Sequence, residues 1–298
     1  MFDVIIAGGG PAGLSAALML GRCRRRVLLC DLGQPRNRHS KALHGYLTRD
    51  GIAPAVFNNL GRAELEQYGV EVRGEGVTSA RWSDEGFFEV CVGPDHEEQS
   101  RFLLLATGVI DDQPAIAGFD ECYGRSIFHC PYCDGWEHRD RRLAALGHGQ
   151  ACAGLALGLK TWSADVVMCT NGGRVDRATR ERLERNGVGL RTDPIARLEH
   201  ANGALLALTF RRGDSQPCDA LFFATGQRPQ SALAKILGCT FTRQGTVATG
   251  NGCDTNVPGV FVVGDASRDA QFVVVAAAEG VKAAMTINKA LQRAELRP

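Results

Sequence analysis

The stretch from Phe2 to Asp31 constrains the fold more than any other. Phe2 to Ala7 is a short apolar run suited to a buried parallel strand. It leads into Gly8-Gly9-Gly10-Pro11-Ala12-Gly13 and a helical pattern that ends near Cys23. A second strand is predicted from Arg26 to Leu32, with Asp31 about 20 residues past the glycines. Gly8, Gly10 and Gly13 permit a tight turn and bring backbone N–H groups close to a pyrophosphate resting on the helix N-terminus. Asp31 is placed to accept hydrogen bonds from a ribose. Glycines alone are a weak signal. Strand, glycine turn, helix, strand and acid in this order specify a dinucleotide-binding unit rather than a structural turn.

Near the middle of the chain lies His129-Cys130-Pro131-Tyr132-Cys133-Asp134-Gly135-Trp136-Glu137, which reads as a redox centre. Two cysteines separated by two residues can close a small disulfide ring. Pro131 suits the first position of a helix, which makes Cys130 its cap and favours the thiolate there. Asp134 supplies a carboxyl group that can carry protons to and from sulfur. Half a zinc site, a glutaredoxin-like motif and a pair of inert core thiols are the competing readings. Zinc is disfavoured because the other cysteines of the 11 form no second Cys-x-x-Cys. A glutaredoxin would carry the motif near the start of a much smaller domain. Inert packing, expected for most of the remaining thiols, fits poorly with tight spacing beside Pro and Asp.

Between these features, Gly33 to Gly51 reads as an irregular segment rich in Gly, Pro, Asn, Arg and His that reaches over a bound cofactor. His39 and His44 lie in it, and solvated loop histidines are the default reading for both. Pro54 to Tyr68 has helical spacing. Val70 to Val77, Phe87 to Val92 and Phe102 to Leu105 read as strands, the last ending in Ala106-Thr107-Gly108. A second, degenerate fingerprint follows the redox motif: a strand from Arg142 to Leu146, Gly147-His148-Gly149-Gln150-Ala151-Cys152, and a helix through Leu159. The next strand, Ala164 to Cys169, ends in Thr170-Asn171-Gly172-Gly173-Arg174. That end has neither an acid for a ribose nor an arginine cluster for a 2′-phosphate. Arg174, Arg177 and Arg180 alternate with Asp176, Glu181 and Glu184 as on a salt-bridged helix surface. Asp219 to Phe223 is another strand, Thr255 to Asp265 a turn, strand and acid, and Ala276 to Leu291 a closing helix. The second fingerprint thus lies inside a first domain whose last strand and helix return at the C-terminus.

A length of 298 residues and 44% hydrophobic content suit two buried cores. A net charge of +1 gives no electrostatic case for nucleic acid or a membrane surface. The basic run Arg22 to Arg26 sits where a helix end accommodates cations. The apolar stretch Val4 to Leu20 lacks a basic lead and is broken by glycines, so no signal peptide is expected. A cytoplasmic setting, in which most cysteines stay reduced, is the default expectation.

Four features together resemble the low-molecular-weight thioredoxin reductase family of flavoproteins over essentially the whole chain. They are Gly8-x-Gly10-x-x-Gly13, Cys130-x-x-Cys133-Asp134-Gly135, the two Ala-Thr-Gly segments, and Thr255 to Asp265. The resemblance implies an α/β fold of two three-layer, Rossmann-like domains, an FAD domain (1–111 and 236–298) with an NAD(P)-type domain (112–235) inserted in it. It also implies a homodimer. It places Gly8, Gly10, Pro11, Ala12, Gly13, Asp31, Thr107, Gly108, Gly264, Asp265 and Gln271 at the cofactor, with Asp265 on the ribityl chain. Cys133 would face the flavin, Cys130 would exchange disulfides with substrate, and Asp134 would be the acid/base. The family's His-Arg-Arg clamp for NADPH is replaced here by Thr170-Asn171-Gly172-Gly173, which leaves NADP(H) or NAD(H) doubtful as cofactor. The Cys-Pro-Tyr-Cys-Asp-Gly-Trp-Glu string, with Gly264-Asp265-Ala266, Gln271 and Ala276 to Glu279, is more similar to the branch of dithiol oxidases that close disulfides in gliotoxin- and holomycin-type metabolites. The expected activity is FAD-dependent oxidation of a small dithiol with dioxygen as acceptor. An NADPH-dependent reductase acting on a thioredoxin-like protein and a non-catalytic redox sensor are the alternatives. Neither residue types nor resemblance assigns roles to His39, His44, His129 or His138.

Overall fold

The computed structural model describes residues 1–267 and 270–296. The chain divides into two compact units, Met1–Arg38 with Pro54–Ile110 and Arg228–Pro298, and His39–Ala53 with Asp111–Gln227. The chain returns to the first unit at Arg228, and Leu233 and Ala234 bury in the same core as Phe2, Phe88 and Val90. Residues 39–53 group with the second unit because the His39 ring lies 5.6 Å from Tyr123 and His44 reaches Glu137.

In the first unit, Glu71–Arg73, Val27–Cys30, Phe2–Ala7 and His96–Leu105 are neighbours in one parallel array. Val260–Val262 joins His96–Leu105 in parallel, and Phe88–Val92 and Val77–Trp82 extend the sheet antiparallel. Alternation along the opening strand divides its side chains between two cores. Val4 and Ile6 pack with the helices Pro11–Arg22 and Val273–Glu295, whereas Ile5 and Ala7 face Phe88, Val90 and Leu233. Each large apolar side chain buried this way contributes about 1.5–3 kcal/mol. The two helices approach closely at Gly280, where a Cβ would lie 2.1 Å from the Ala12 carbonyl oxygen. Any side chain there would push them apart. The carboxyl ends of four parallel strands, at Ala7, Cys30, Leu105 and Val262, therefore share one edge, where ligands bind in open α/β sheets.

The second unit repeats the plan with a five-stranded parallel sheet ordered Val188–Arg191, Val166–Cys169, Leu143–Gly147, Ala220–Ala224 and Ile127–Phe128. The helix Gly149–Leu159 covers one face with Leu183 of Arg177–Arg185. An antiparallel sheet of Ile195–Ala201, Ala204–Phe210 and Gln216–Pro217 covers the other. Both units are thus three-layered α/β.

Among the elements beyond the sequence expectations are one strand of the first unit and one hairpin of the second. Val77–Trp82 is a strand with only Ala80 buried, so it carries little apolar periodicity. The Ile195–Phe210 hairpin turns on Asn202 and Gly203, both with positive φ (53° and 81°), as a two-residue hairpin loop requires. No helix among the described residues is long and apolar enough to cross a membrane.

Candidate active site

The first glycine turn is shaped by contacts that no side chain could share. A Cβ at Gly8, whose φ is +109°, would lie 2.3 Å from the Ala106 carbonyl oxygen. One at Gly13 would lie 1.9 Å from the Gly8 oxygen, and one at Gly9 2.5 Å from an Asp31 carboxylate oxygen. Gly10 caps the helix Pro11–Arg22 with no side-chain hydrogen bond, Pro11 is its first residue, and the space beside Gly10 is open. An uncapped helix N-terminus facing open space is what a pyrophosphate needs. At the neighbouring strand end Thr107 and Gly108 are half-buried, and the Gly108 carbonyl accepts from the Gln230 N–H at 3.1 Å. Asp31 follows directly on the strand Val27–Cys30, and Arg62 donates to it there.

Asp265 sits on the turn after Val260–Val262. Its backbone oxygen accepts from Gln271 Nε2 at 3.3 Å. Arg36 Nη1 donates to Asp265 Oδ2 at 2.9 Å and to Gln271 Oε1 at 2.6 Å. Beneath this turn the buried Glu279 accepts from the Gly264 N–H at 2.8 Å and from Ser267 Oγ at 3.3 Å. The first unit thus collects the glycine turn, Asp31, Asp265 and Gln271, and the residues fit FAD. Arg36, Arg62 and Glu279 were not singled out from sequence as parts of this site. Glu279 had a usable signal, an acid inside an otherwise apolar helical run. Arg36 and Arg62 had none, since a basic residue in a loop or on an amphipathic helix is ordinary.

In the second unit Cys130 and Cys133 form a disulfide, with Cα atoms 5.3 Å apart. Cys130 caps the one-turn helix Pro131–Asp134, with Pro131 at its first position as expected, and its carbonyl oxygen accepts from the Cys133 and Asp134 N–H groups at 3.2 and 3.3 Å. Because the helix is a single turn, any thiolate at Cys130 would gain from adjacent N–H groups more than from a long dipole. Gly135 must lack a side chain, since a Cβ would meet the Pro131 oxygen at 2.4 Å and the Trp162 ring at 2.7 Å. Tyr132, between the two cysteines in sequence, and Trp136 are exposed; the Tyr132 ring lies 5.4 Å from Trp162 and Arg139 lies over the Trp136 ring at 4.2 Å.

Burial pushes the Asp134 carboxyl up to about 7, opposed by the charge of His44 and assisted by Glu137. Both its protonated and its ionised form are therefore populated near neutral pH, and it can give and take a proton there. His129 Nδ1 lies 3.7 Å from the buried Asp111, which also accepts from the Tyr123 hydroxyl at 2.8 Å. His138, against Phe128, is pushed down by burial and by Arg141, against the pull of Glu137 and Asp219. Of the other cysteines, Cys23 and Cys91 are half-buried and the rest buried. Burial pushes Cys30, Cys152 and Cys169 up to about 12, so these thiols stay protonated. No cluster of metal-ligating side chains occurs among the described residues.

The second glycine turn has a different loop beside it. Thr170 is fully buried and donates through Oγ1 to the Gly173 oxygen at 2.7 Å. Asn171, with φ +47°, accepts at Oδ1 from the Ile195 N–H at 2.7 Å. A Cβ on Gly173 would lie 2.4 Å from His148 Nδ1. Arg177 pairs with Glu181 at 2.7 Å, as the alternating charges suggested.

The sequence matches the pyridine nucleotide-disulphide oxidoreductase family over residues 2–280, and the chain belongs to that family. It is 30% identical to a probable thioredoxin reductase of Arthroderma benhamiae over 90% of this chain and 74% of the relative. It is 28% identical to the thioredoxin reductase sirT of Leptosphaeria maculans over 97% of this chain and 94% of the relative. Among solved structures, a putative thioredoxin reductase TrxB from Bacillus anthracis superposes with a TM-score of 0.95 at 30% identity, over 99% of this chain and all of the other. HlmI superposes with a TM-score of 0.95 at 34% identity, over 99% of this chain and 93% of the other. The protein is a thioredoxin reductase-like, FAD-dependent thiol–disulfide oxidoreductase.

Proposed function

We propose that the protein oxidises a small dithiol to its disulfide, with dioxygen as final acceptor. The observation that carries this reading is the loop after Val166–Cys169. In a dinucleotide-binding half, that strand end presents an acid to a ribose or arginines to a 2′-phosphate. Here the Thr170 hydroxyl and the Asn171 carbonyl are committed to backbone partners, and Gly172 and Gly173 offer no side chain. Each absent charge-assisted contact removes about 1.5–3 kcal/mol, so two missing contacts weaken NADPH binding a hundredfold or more.

A substrate thiolate attacks the Cys130 sulfur, the Cys130–Cys133 bond breaks, and Cys133 leaves as a thiolate that Asp134 can protonate. The second substrate thiol, its proton passing to Asp134, then attacks the mixed disulfide and releases the closed product, leaving two reduced cysteines. The glycine turn, Asp31 and Asp265 would hold FAD, which would supply the two-electron chemistry for reoxidising the Cys130–Cys133 pair, with dioxygen as final acceptor and hydrogen peroxide as its product. A homodimer and a cytoplasmic setting belong to the same reading. The names of the thioredoxin reductase relatives favour a second reading, NADPH-driven reduction of a thioredoxin-like protein.

Anaerobic stopped-flow bleaching of the flavin by NADPH, NADH and a panel of dithiols separates the two. Faster bleaching by a dithiol, with hydrogen peroxide formed on admitting air, is the expected result. Bleaching by micromolar NADPH within the turnover time, coupled to reduction of a thioredoxin, overturns it.

A further inference from the structure

His44 belongs to a closed loop of the second unit. Leu43 and Ile52 pair antiparallel, with the Leu43 N–H donating to Ile52 and the Gly51 N–H donating to Leu43, both at 2.8 Å. Inside the loop the Gly45 N–H donates to Asp50 Oδ1 at 2.8 Å. That contact is the first cause holding the Asp50 carboxyl below its usual value, and His44 adds to it. The half-buried His44 ring is gripped at both nitrogens, Nδ1 lying 3.5 Å from Asp50 Oδ1 and Nε2 3.5 Å from Glu137 Oε1. A neutral imidazole has one N–H and can satisfy one of these carboxylates; the imidazolium satisfies both. Glu137 lies three residues beyond Asp134, on the turn that follows the disulfide helix.

We propose that His44, bracketed between Asp50 and Glu137, is a positioning residue for proton transfer at Asp134. The inference rests on the acid/base role of Asp134 given above. Two carboxylates at opposite ends of the ring hold it in place on the turn that carries Asp134, and a charge on the ring opposes the burial that raises the Asp134 carboxyl, so the loop bears on the pH range over which Asp134 exchanges its proton. The groups facing His44 are Asp50 from its own loop and Glu137 from the disulfide turn, and the charge of His44 acts on Asp134 three residues before Glu137. The other charges nearby are directed elsewhere. Arg49 donates to the Thr48 carbonyl, His129 faces Asp111, and His138 faces Arg141, Glu137 and Asp219.

The test is the pH profile of anaerobic flavin reduction by dithiothreitol in the FAD-loaded enzyme, measured for the parent, Asp134→Asn, His44→Gln, His44→Lys and Asp50→Asn. Asp134→Asn should remove one inflection. His44→Gln should move that inflection upward by about one pH unit, because an opposite charge is lost from the carboxyl. His44→Lys should bring it part of the way back, and Asp50→Asn, which frees one side of the ring, should move it upward by less. Circular dichroism and flavin content confirm that each variant is folded. An inflection unmoved in both His44→Gln and Asp50→Asn, yet absent in Asp134→Asn, overturns the proposal and leaves the role of Asp134 standing. An inflection that survives in Asp134→Asn removes the acid/base role itself, and the proposal with it.

Discussion

Replacing Asp134 by Asn should make the folded protein more stable above neutral pH while slowing disulfide exchange. Burial raises this carboxyl from its usual 3.8 to about 7 in the folded chain. For an acid shifted this way, stability is fully present below the unfolded value and is lost as pH rises towards the folded value; above that it stays level. About three pH units at about 1.4 kcal/mol each set a ceiling near 4 kcal/mol. Water reaching the half-buried group brings the expected cost of the carboxylate down to about 1–2 kcal/mol. Asparagine never ionises, so it escapes that cost. Denaturant unfolding between pH 4.5 and 8.5 checks this, with tryptophan fluorescence as the probe because Trp136 and Trp162 lie in the same unit as Asp134. The advantage of the variant should grow from pH 4.5 to about 7 and then level off. A constant difference across the range, or a variant less stable at pH 8.5, would refute the argument that burial controls Asp134.

Glu279→Ala should leave the buried Gly264 N–H without its acceptor, while the Ser267 hydroxyl keeps the Gly264 carbonyl at 3.1 Å, costing about 1–3 kcal/mol and lowering flavin content; Glu279→Gln, which keeps an acceptor oxygen, should cost less. Flavin-release melting curves check both, and equal midpoints for Ala and parent would contradict the assignment. In the reduced enzyme, Cys130→Ser should keep a thiolate–flavin charge-transfer absorbance that Cys133→Ser lacks. A band present only in the Cys133 variant would exchange the roles of the two sulfurs.

The parts of the fold legible in the sequence are those where backbone geometry restricts residue choice. Gly8 and Gly13 are forced by carbonyl oxygens within 2.3 Å of a would-be Cβ, and Pro131 by the first position of a helix. The strand Val77–Trp82 escaped because it buries a single side chain, so no alternation betrays it. The hairpin at Asn202-Gly203 was legible in principle, since that dipeptide between two apolar runs is a strong local hairpin signal. Its neighbouring strand, Ile195–Ala201, carries Arg197, Glu199 and His200, which obscure the apolar pattern. At the site, the sulfurs and Asp134 are adjacent in sequence and could be read together. The surroundings of Asp134 and Asp265 could not, because His44 and Arg36 come from distant segments and a basic residue in a loop shows no pattern until the chain folds.

The distribution of cysteines ties reactivity to placement. Cys30, Cys152 and Cys169 lie in cores where burial holds the thiol protonated, so they are poor nucleophiles whatever the redox setting. Cys130 and Cys133 stand on a single helical turn, half-buried, with Asp134 next in sequence and the exposed Tyr132 and Trp136 within the same stretch. The same force, desolvation, therefore has two opposite uses. In the cores it silences thiols, and at the disulfide it raises a carboxyl group to the range where it can return a proton to a leaving sulfur. Restoring an ordinary, fully solvated aspartate at that position would recover folding stability and forfeit the proton donor, so the cost to stability is inseparable from the chemistry proposed for the site.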